Sequence, residues 1–294
     1  MDAEGLERGV EAFKGAGFRV RLGRHVMERR GYLAGTDSAR ASDFNEMFRD
    51  PEVHCVVCAR GGYGSMRILD MIDYEAVRAS RKVFVGYSDI TALHLAIRKR
   101  AGLVTFHGPV VEAKDPERLN DYTVSHLVRA ITSTGPLGDL ANPIGVPAPS
   151  RPRWNGGGRA AGTLTGGNLS MVVSSIGTPF EIDTRDKILM LEEVSERPYR
   201  IDRMLRQLQM AGKLSSVAGV VLGEFIDCVP EAGKPTLQLD EIFAHYFGDL
   251  GVPVVSGLCC GHGKYRLTIP LGVRTEIDAA TNGATLRVTE GACV

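Results

Sequence analysis

An excess of charge of either sign is the first thing this chain lacks. Its 35 basic and 35 acidic residues cancel to a formal net charge of zero over 294 positions. That removes the electrostatic case for nucleic acid or an anionic membrane surface as partner. No apolar run reaches the length that spans a bilayer. The first residues, MDAEGLERGVEAF, are acidic and hold no signal-peptide core, so a cytoplasmic location is expected. Cysteine is sparse, six in all, and the one C-x-x-C (Cys55 and Cys58) lies inside the apolar run VHCVVCA. Redox and zinc pairs occupy turns or helix starts instead. With no second such pair, neither a metal nor a cofactor is expected, and free, apolar-flanked thiols suit a reducing compartment. Aromatics make up 6% of the chain and Trp154 is the single tryptophan, which argues neither for nor against a site that stacks a base.

What is present is organised around residues 82–97, KVFVGYSDITALHLAI. Val83, Phe84 and Val85 form a β-branched and aromatic run, the chain turns at Gly86-Tyr87-Ser88-Asp89, and Ile90, Leu93 and Ile97 then recur at helical spacing. This predicts a buried strand feeding an amphipathic helix, with a serine at the turn. A serine held on such a turn is a nucleophile elbow, its hydroxyl exposed and the next backbone N–H facing an incoming carbonyl oxygen. Position 90 is Ile, so the full G-x-S-x-G pattern is absent. On this stretch alone the plainer reading of Ser88, as a helix N-cap, stands ahead.

Strands alternate with helices along the rest of the chain. Strands are expected at 18–22, 53–59, 83–85 and 103–106, and helices around Leu6 to Phe13, over 41–50, over 66–71 and after Ser88. That pattern predicts an α/β fold whose N-terminal domain, residues 1–134, is a doubly wound parallel sheet of flavodoxin-like type. Ligands of such sheets bind at the carboxyl ends of the strands, where RGGYGS and GYSD both fall. Residues 135–158, with five prolines and Gly156-Gly157-Gly158, read as a linker. Residues 159–294 are expected to form a smaller mixed α/β domain. In it, strands cover 160–164, 187–191, 217–222 and 254–258, and helices 169–176, 201–211 and 239–247. A terminal hairpin follows, turned at Asn282-Gly283.

Two further side chains share the setting of Ser88. Glu192 and Glu193 follow an apolar strand, and His262 stands between two glycines after another. Hydroxyl, carboxylate and imidazole at three strand ends can form a charge-assisted relay. The plainer readings are a structural histidine and glutamates that cap the following segment or pair with Arg197, Arg200 or Arg203. His107 ends a strand near the same crevice and is a rival base, whereas His94 should lie along its helix away from Ser88. RGGYGS could also cradle an anion, but it has neither G-x-G-x-x-G spacing nor a Walker lysine.

Taken together, ARGGYGSMRIL, VGYSDITALH, LTGGNLS, LMLEEVSERPYRIDRMLRQL and GHGKYRLTIPLG resemble the LD-carboxypeptidase family of serine peptidases, whose relatives include the microcin-immunity peptidases. The match runs in order over most of the chain. It implies a triad of Ser88, Glu192 and His262. It also implies an oxyanion hole from the Asp89 N–H and a glycine N–H of RGGYG, either Gly61 or Gly62, with Gly62 taken here. Arg60 and the first-turn N–H groups after Ser88 are the expected grip on the free carboxylate of a substrate, and Arg60, Gly61 and Tyr63 the expected substrate-binding residues. The implied substrate is a murein tetrapeptide that loses its terminal D-alanine, and a homodimer is the expected assembly. The alternatives are cleavage of a peptidyl-nucleotide antibiotic and a non-catalytic phosphate- or nucleotide-binding module. Members of the family open with an apolar strand before the first helix. Here Met1 sits almost at the helix start, so a gap or an open partner edge is expected in the N-terminal sheet.

Overall fold

The computed structural model describes residues 1–113, 115–281 and 283–293. In chain order its main elements are α1 (Ala3–Gly15), α2 (Asp37–Arg49), β1 (Cys55–Val57), α3 (Tyr74–Ser80), β2 (Val83–Gly86), α4 (Thr91–Ala101), β3 (Thr105–His107), α5 (Asp121–Thr132), β4 (Pro136–Leu140) and β5 (Arg159–Asn168). There follow α6 (Leu169–Ser174), β6 (Lys187–Val194), α7 (Pro198–Met210), β7 (Gly219–Ile226), α8 (Leu239–Phe247), β8 (Val254–Ser256), β9 (Ile269–Leu271), β10 (Arg274–Thr281) and β11 (Gly283–Gly291).

Two sheets result. The first runs β1-β2-β3-β9, with β1, β2 and β3 parallel and β9 antiparallel to β3. Register sets His107 opposite Gly86 on one side and Ile269 on the other, so the turn after β2 emerges beside His107. The second sheet runs β4-β11-β10-β5-β6-β7-β8; β5 to β8 are parallel and β10, β11 and β4 antiparallel. The parallel strands read as apolar runs because both faces are covered. One core joins the sheets, packing Val85 and Phe106 with Leu164, Met190, Val221, Cys260 and Ile269. A second core covers the far face of the larger sheet, with Leu169, Ile201, Leu205 and Phe247 among its members. A third packs Phe44, Phe48, Phe84 and Ile97.

The mixed α/β architecture, with its parallel N-terminal sheet and a second domain, is as the alternation of strands and helices implied. Several local expectations are corrected. Among the described residues the second sheet carries seven strands to the first sheet's four, and β9, from the C-terminal half, completes the first. Residues 18–22 form no strand; Phe18 and Val20 pack against the shared core without a ladder partner. Residues 136–140, expected in a linker, form β4 and pair with β11, and Ser150 bridges Ser256. Backbone pairing outweighs the local proline content there, with Pro136 at the first position of an edge strand, where a missing N–H is tolerated. Residues 166–167 do not turn but continue β5 to Asn168 with positive φ, and a Cβ on Gly166 would stand 1.9 Å from the Met190 carbonyl oxygen. Ser65–Met71 is a 3-10 helix. The expected hairpin forms between β10 and β11, but Asn282 of its turn lies outside the described residues.

Beside β1, which ends the first sheet, lies a cavity of about 1160 Å³ bordered by Phe13, Phe18, Val20 and Val57. Among the described residues no helix is long and apolar enough to cross a membrane.

Candidate active site

Ser88 stands where β2 meets α4. Gly86 is required there, because a Cβ would lie 2.7 Å from Ile90. Ser88 itself has φ +65, a left-handed conformation that a non-glycine residue holds only under strain. The cap reading fails: the position before the 3-10 turn is Tyr87, the one before α4 is Ile90, and neither helix start has a side-chain cap. The hydroxyl faces the other lobe instead, with Ser88 Oγ 3.1 Å from His262 Nε2.

Glu192 and Glu193 diverge because successive strand residues face opposite ways. Glu193 is structural. Its carboxylate accepts from the Asn168 side-chain amide, the Ser170 N–H and hydroxyl, and the Val194 N–H at 2.6–2.9 Å, tying β6 to the start of α6. It does cap, but it caps the helix before it. Glu192 lies where the β6–β7 register shifts between Leu191 and Glu193, a bulge that re-aims a side chain. It is 0% exposed, and its Oε2 stands 2.8 Å from His262 Nδ1. Burial alone would raise the carboxyl, but the imidazoles of His107 and His262 outweigh it and hold the group at about 2. An ionised carboxylate only accepts, so Nδ1 of His262 carries the proton and Nε2 is free to accept from Ser88.

The glycines flanking His262 are fixed by the same packing. A Cβ on Gly261, at φ +111, would stand 2.4 Å from Glu192 Oε2, and one on Gly263 would stand 2.1 Å from Glu224 Oε1. His262 is thus held in a loop that closes over two carboxylates, its side chain 11% exposed. The ring packs on Tyr87 at 4.8 Å between centroids, and the buried Arg266 guanidinium covers Tyr87 at 5.1 Å.

The RGGYGS loop closes on the serine from the other side. Gly61 abuts Ser88, with a Cβ there 3.0 Å from Ser88 Cβ and 3.4 Å from its Oγ. Gly62, at φ +111, is exposed beside the Arg60 guanidinium. The buried Asp89 carboxylate accepts from the Ser65 N–H at 2.8 Å and so ties this loop to the serine turn. Arg60 is half-exposed, 3.8 Å from Glu112. Tyr63 is exposed and meets Tyr32 edge to face.

Other candidates lie elsewhere. His94 Nε2 donates to the Gly86 carbonyl oxygen at 2.8 Å and braces the turn from within. His107 is 1% exposed and turns Nε2 toward Glu192 Oε1 at 3.8 Å. Trp154 donates to Asp240 on α8. The six cysteines are free, and burial pushes the Cys55 thiol up to about 12. Among the described residues no cluster of His, Cys, Asp and Glu could hold a metal ion. Sequence reasoning passed over Glu224, although it too ends an apolar strand. Its Oε2 has no partner among the described residues, and burial lifts the carboxyl to about 7 against the opposing pull of Arg266.

A hydroxyl, an imidazole and a carboxylate in series, brought together by two α/β sheets, define a hydrolase of the serine type. Family models narrow the class: the LD-carboxypeptidase N-terminal domain matches residues 1–108 and the LD-carboxypeptidase C-terminal domain residues 161–277. A Bacillus subtilis (strain 168) protein named "Probable murein peptide carboxypeptidase" is 39% identical over 302 residues, covering 99% of this chain and 90% of its own. The microcin C7 self-immunity protein MccF of Escherichia coli is 30% identical, covering 92% and 84%. The crystal structure of muramoyltetrapeptide carboxypeptidase from Oxalobacter formigenes superposes with a TM-score of 0.85 at 28% identity, covering 100% and 96%. This chain belongs to the LD-carboxypeptidase family of serine peptidases.

Proposed function

We propose that the chain releases the terminal D-alanine from L,D-linked murein tetrapeptides during peptidoglycan recycling in the cytoplasm, acting as a homodimer. The observation that carries the reading is the unbroken series Ser88 Oγ to His262 Nε2 at 3.1 Å and His262 Nδ1 to Glu192 Oε2 at 2.8 Å. Ser88 attacks the carbonyl of the last peptide bond while His262 takes its proton and passes it to the departing amine. Glu192 fixes the imidazole tautomer and stabilises the imidazolium. The N–H groups of Asp89 and Gly62 receive the oxyanion, and water then releases the acyl-enzyme. Arg60, with Gly61 and Tyr63 beside it, holds the substrate carboxylate. In this reading residues 1–134 and 159–294 are the two domains, with 135–158 between them.

Purified protein is incubated with murein tetrapeptide and, separately, with a peptidyl-adenylate mimic. Release of D-alanine by the wild type, lost in Ser88→Ala with binding retained, is the expected result. Preferential cleavage of the mimic would move the substrate to the peptidyl-nucleotide class. Hydrolysis that survives Ser88→Ala removes that residue from the mechanism, and binding without hydrolysis by the wild type leaves a non-catalytic module.

A further inference from the structure

The carboxylate of Glu192 has two oxygens, and the relay uses one. Oε1 is buried with no hydrogen-bond partner among the described residues, and so is Nε2 of His107, 3.8 Å away. Two orphaned buried polar atoms facing each other are costly apart and complementary together. The gap is too long for a hydrogen bond, but contacts of this kind tighten when an active site is occupied. His107 cannot drift from its place. It is fixed by register between Gly86 and Ile269, and its ring lies 6.2 Å from that of Tyr87 and 6.4 Å from that of His94.

We propose that His107 is a positioning residue: its Nε2–H holds Oε1 of Glu192, so that Oε2 is presented to His262. The inference rests on the relay role assigned to Glu192 above. His107 forms no bond to substrate. Its contribution comes when His262 becomes an imidazolium, since the carboxylate opposite must neither swing away nor lie unpaired on its other side. The groups facing Glu192 are His107 from β3, His262, Cys260 and Arg266 from the chain between β8 and β9, and Glu224 from β7. Those facing His107 are Glu192, Tyr87 and His94. Nη2 of Arg266 also has no partner among the described residues, but it is His107 whose Nε2 stands 3.8 Å from Oε1.

The test compares His107→Gln, whose amide reaches as far as Nε2, with His107→Asn, whose amide reaches only as far as Nδ1. On murein tetrapeptide, His107→Asn is expected to lower kcat about tenfold to a hundredfold at unchanged KM. It also moves the acid limb of the kcat/KM profile to higher pH, because an unshared carboxylate holds the relay proton more tightly. His107→Gln stays near the wild type in all three. The low-field proton resonance of His262 Nδ1–H gives a readout on the protein alone: it shifts in His107→Asn and holds in His107→Gln. An Asn variant that only loses thermal stability, with kcat, acid limb and resonance unchanged, overturns the proposal, as does a Gln variant no better than Asn. If the wild type leaves murein tetrapeptide intact, the substrate reading fails and the resonance still decides the role of His107.

Discussion

Gly261 and Glu192 are in such close contact that the smallest side chain at position 261 would meet the carboxylate oxygen bonded to His262, at 2.4 Å. Gly261→Ala therefore displaces either the carboxylate or the His262 loop, and also strains a backbone held at φ +111. A loss of about 1–3 kcal/mol in unfolding free energy is expected from the strain, with kcat down about a hundredfold from the displacement. Thermal unfolding and steady-state kinetics check the two effects separately.

Ser88 holds a left-handed backbone at a place where glycine would be at ease. Ser88→Gly is expected to abolish hydrolysis yet raise unfolding stability by about 1–2 kcal/mol, an exchange of stability for function. Ser88→Ala should lose hydrolysis equally without that gain. A Gly variant that melts below the wild type would count against strain at the turn.

Adjacent glutamates should fail in different ways. Glu192→Gln keeps the shape but can present N–H to His262 Nδ1 and hold the wrong tautomer, so kcat falls about ten-thousandfold with a near-normal melting temperature. Glu193→Gln cannot accept all four of its hydrogen bonds. It should cost about 1–3 kcal/mol of stability and leave kcat within a few-fold. Paired kinetics and denaturation on the two variants decide it.

Glu224 gives stability a pH dependence. Burial raises its carboxyl from an ordinary 4.5 to about 7 in the folded chain. Below 4.5 both states are protonated and the group costs nothing; as pH rises from there through about 7, only the unfolded chain sheds its proton easily, and stability is lost. Glu224→Gln cannot ionise. Its melting temperature relative to the wild type should climb between pH 4.5 and 8 and level off above. A constant offset across that range would mean the carboxyl is not raised.

Much of this site was legible because its residues sit at the ends of apolar runs. VFVGYSD, ILMLEEV and the glycine-flanked His262 each announce a strand and its exit, and a parallel sheet brings strand exits to one edge. The sequence separates Ser88 from a cap no better than it separates Glu192 from Glu193. Those choices depend on the turn's positive φ and on a bulge in β6, both set by tertiary packing. Proline masked β4 and the shortness of β9 hid it, for their hydrogen bonds come from strands far away in sequence. Residues 18–22 carry a strand-like pattern but find no partner. His107 was legible as a strand-end histidine, while its facing of a carboxylate from the other sheet was not.

The strand that completes the first sheet, Ile269–Leu271, is translated last among its members and only a few residues after His262. In the proposed mechanism a nascent chain therefore carries its serine long before it carries the imidazole that would activate it. On the mechanism proposed above, a fragment whose synthesis stalls before His262 holds the nucleophile without its base.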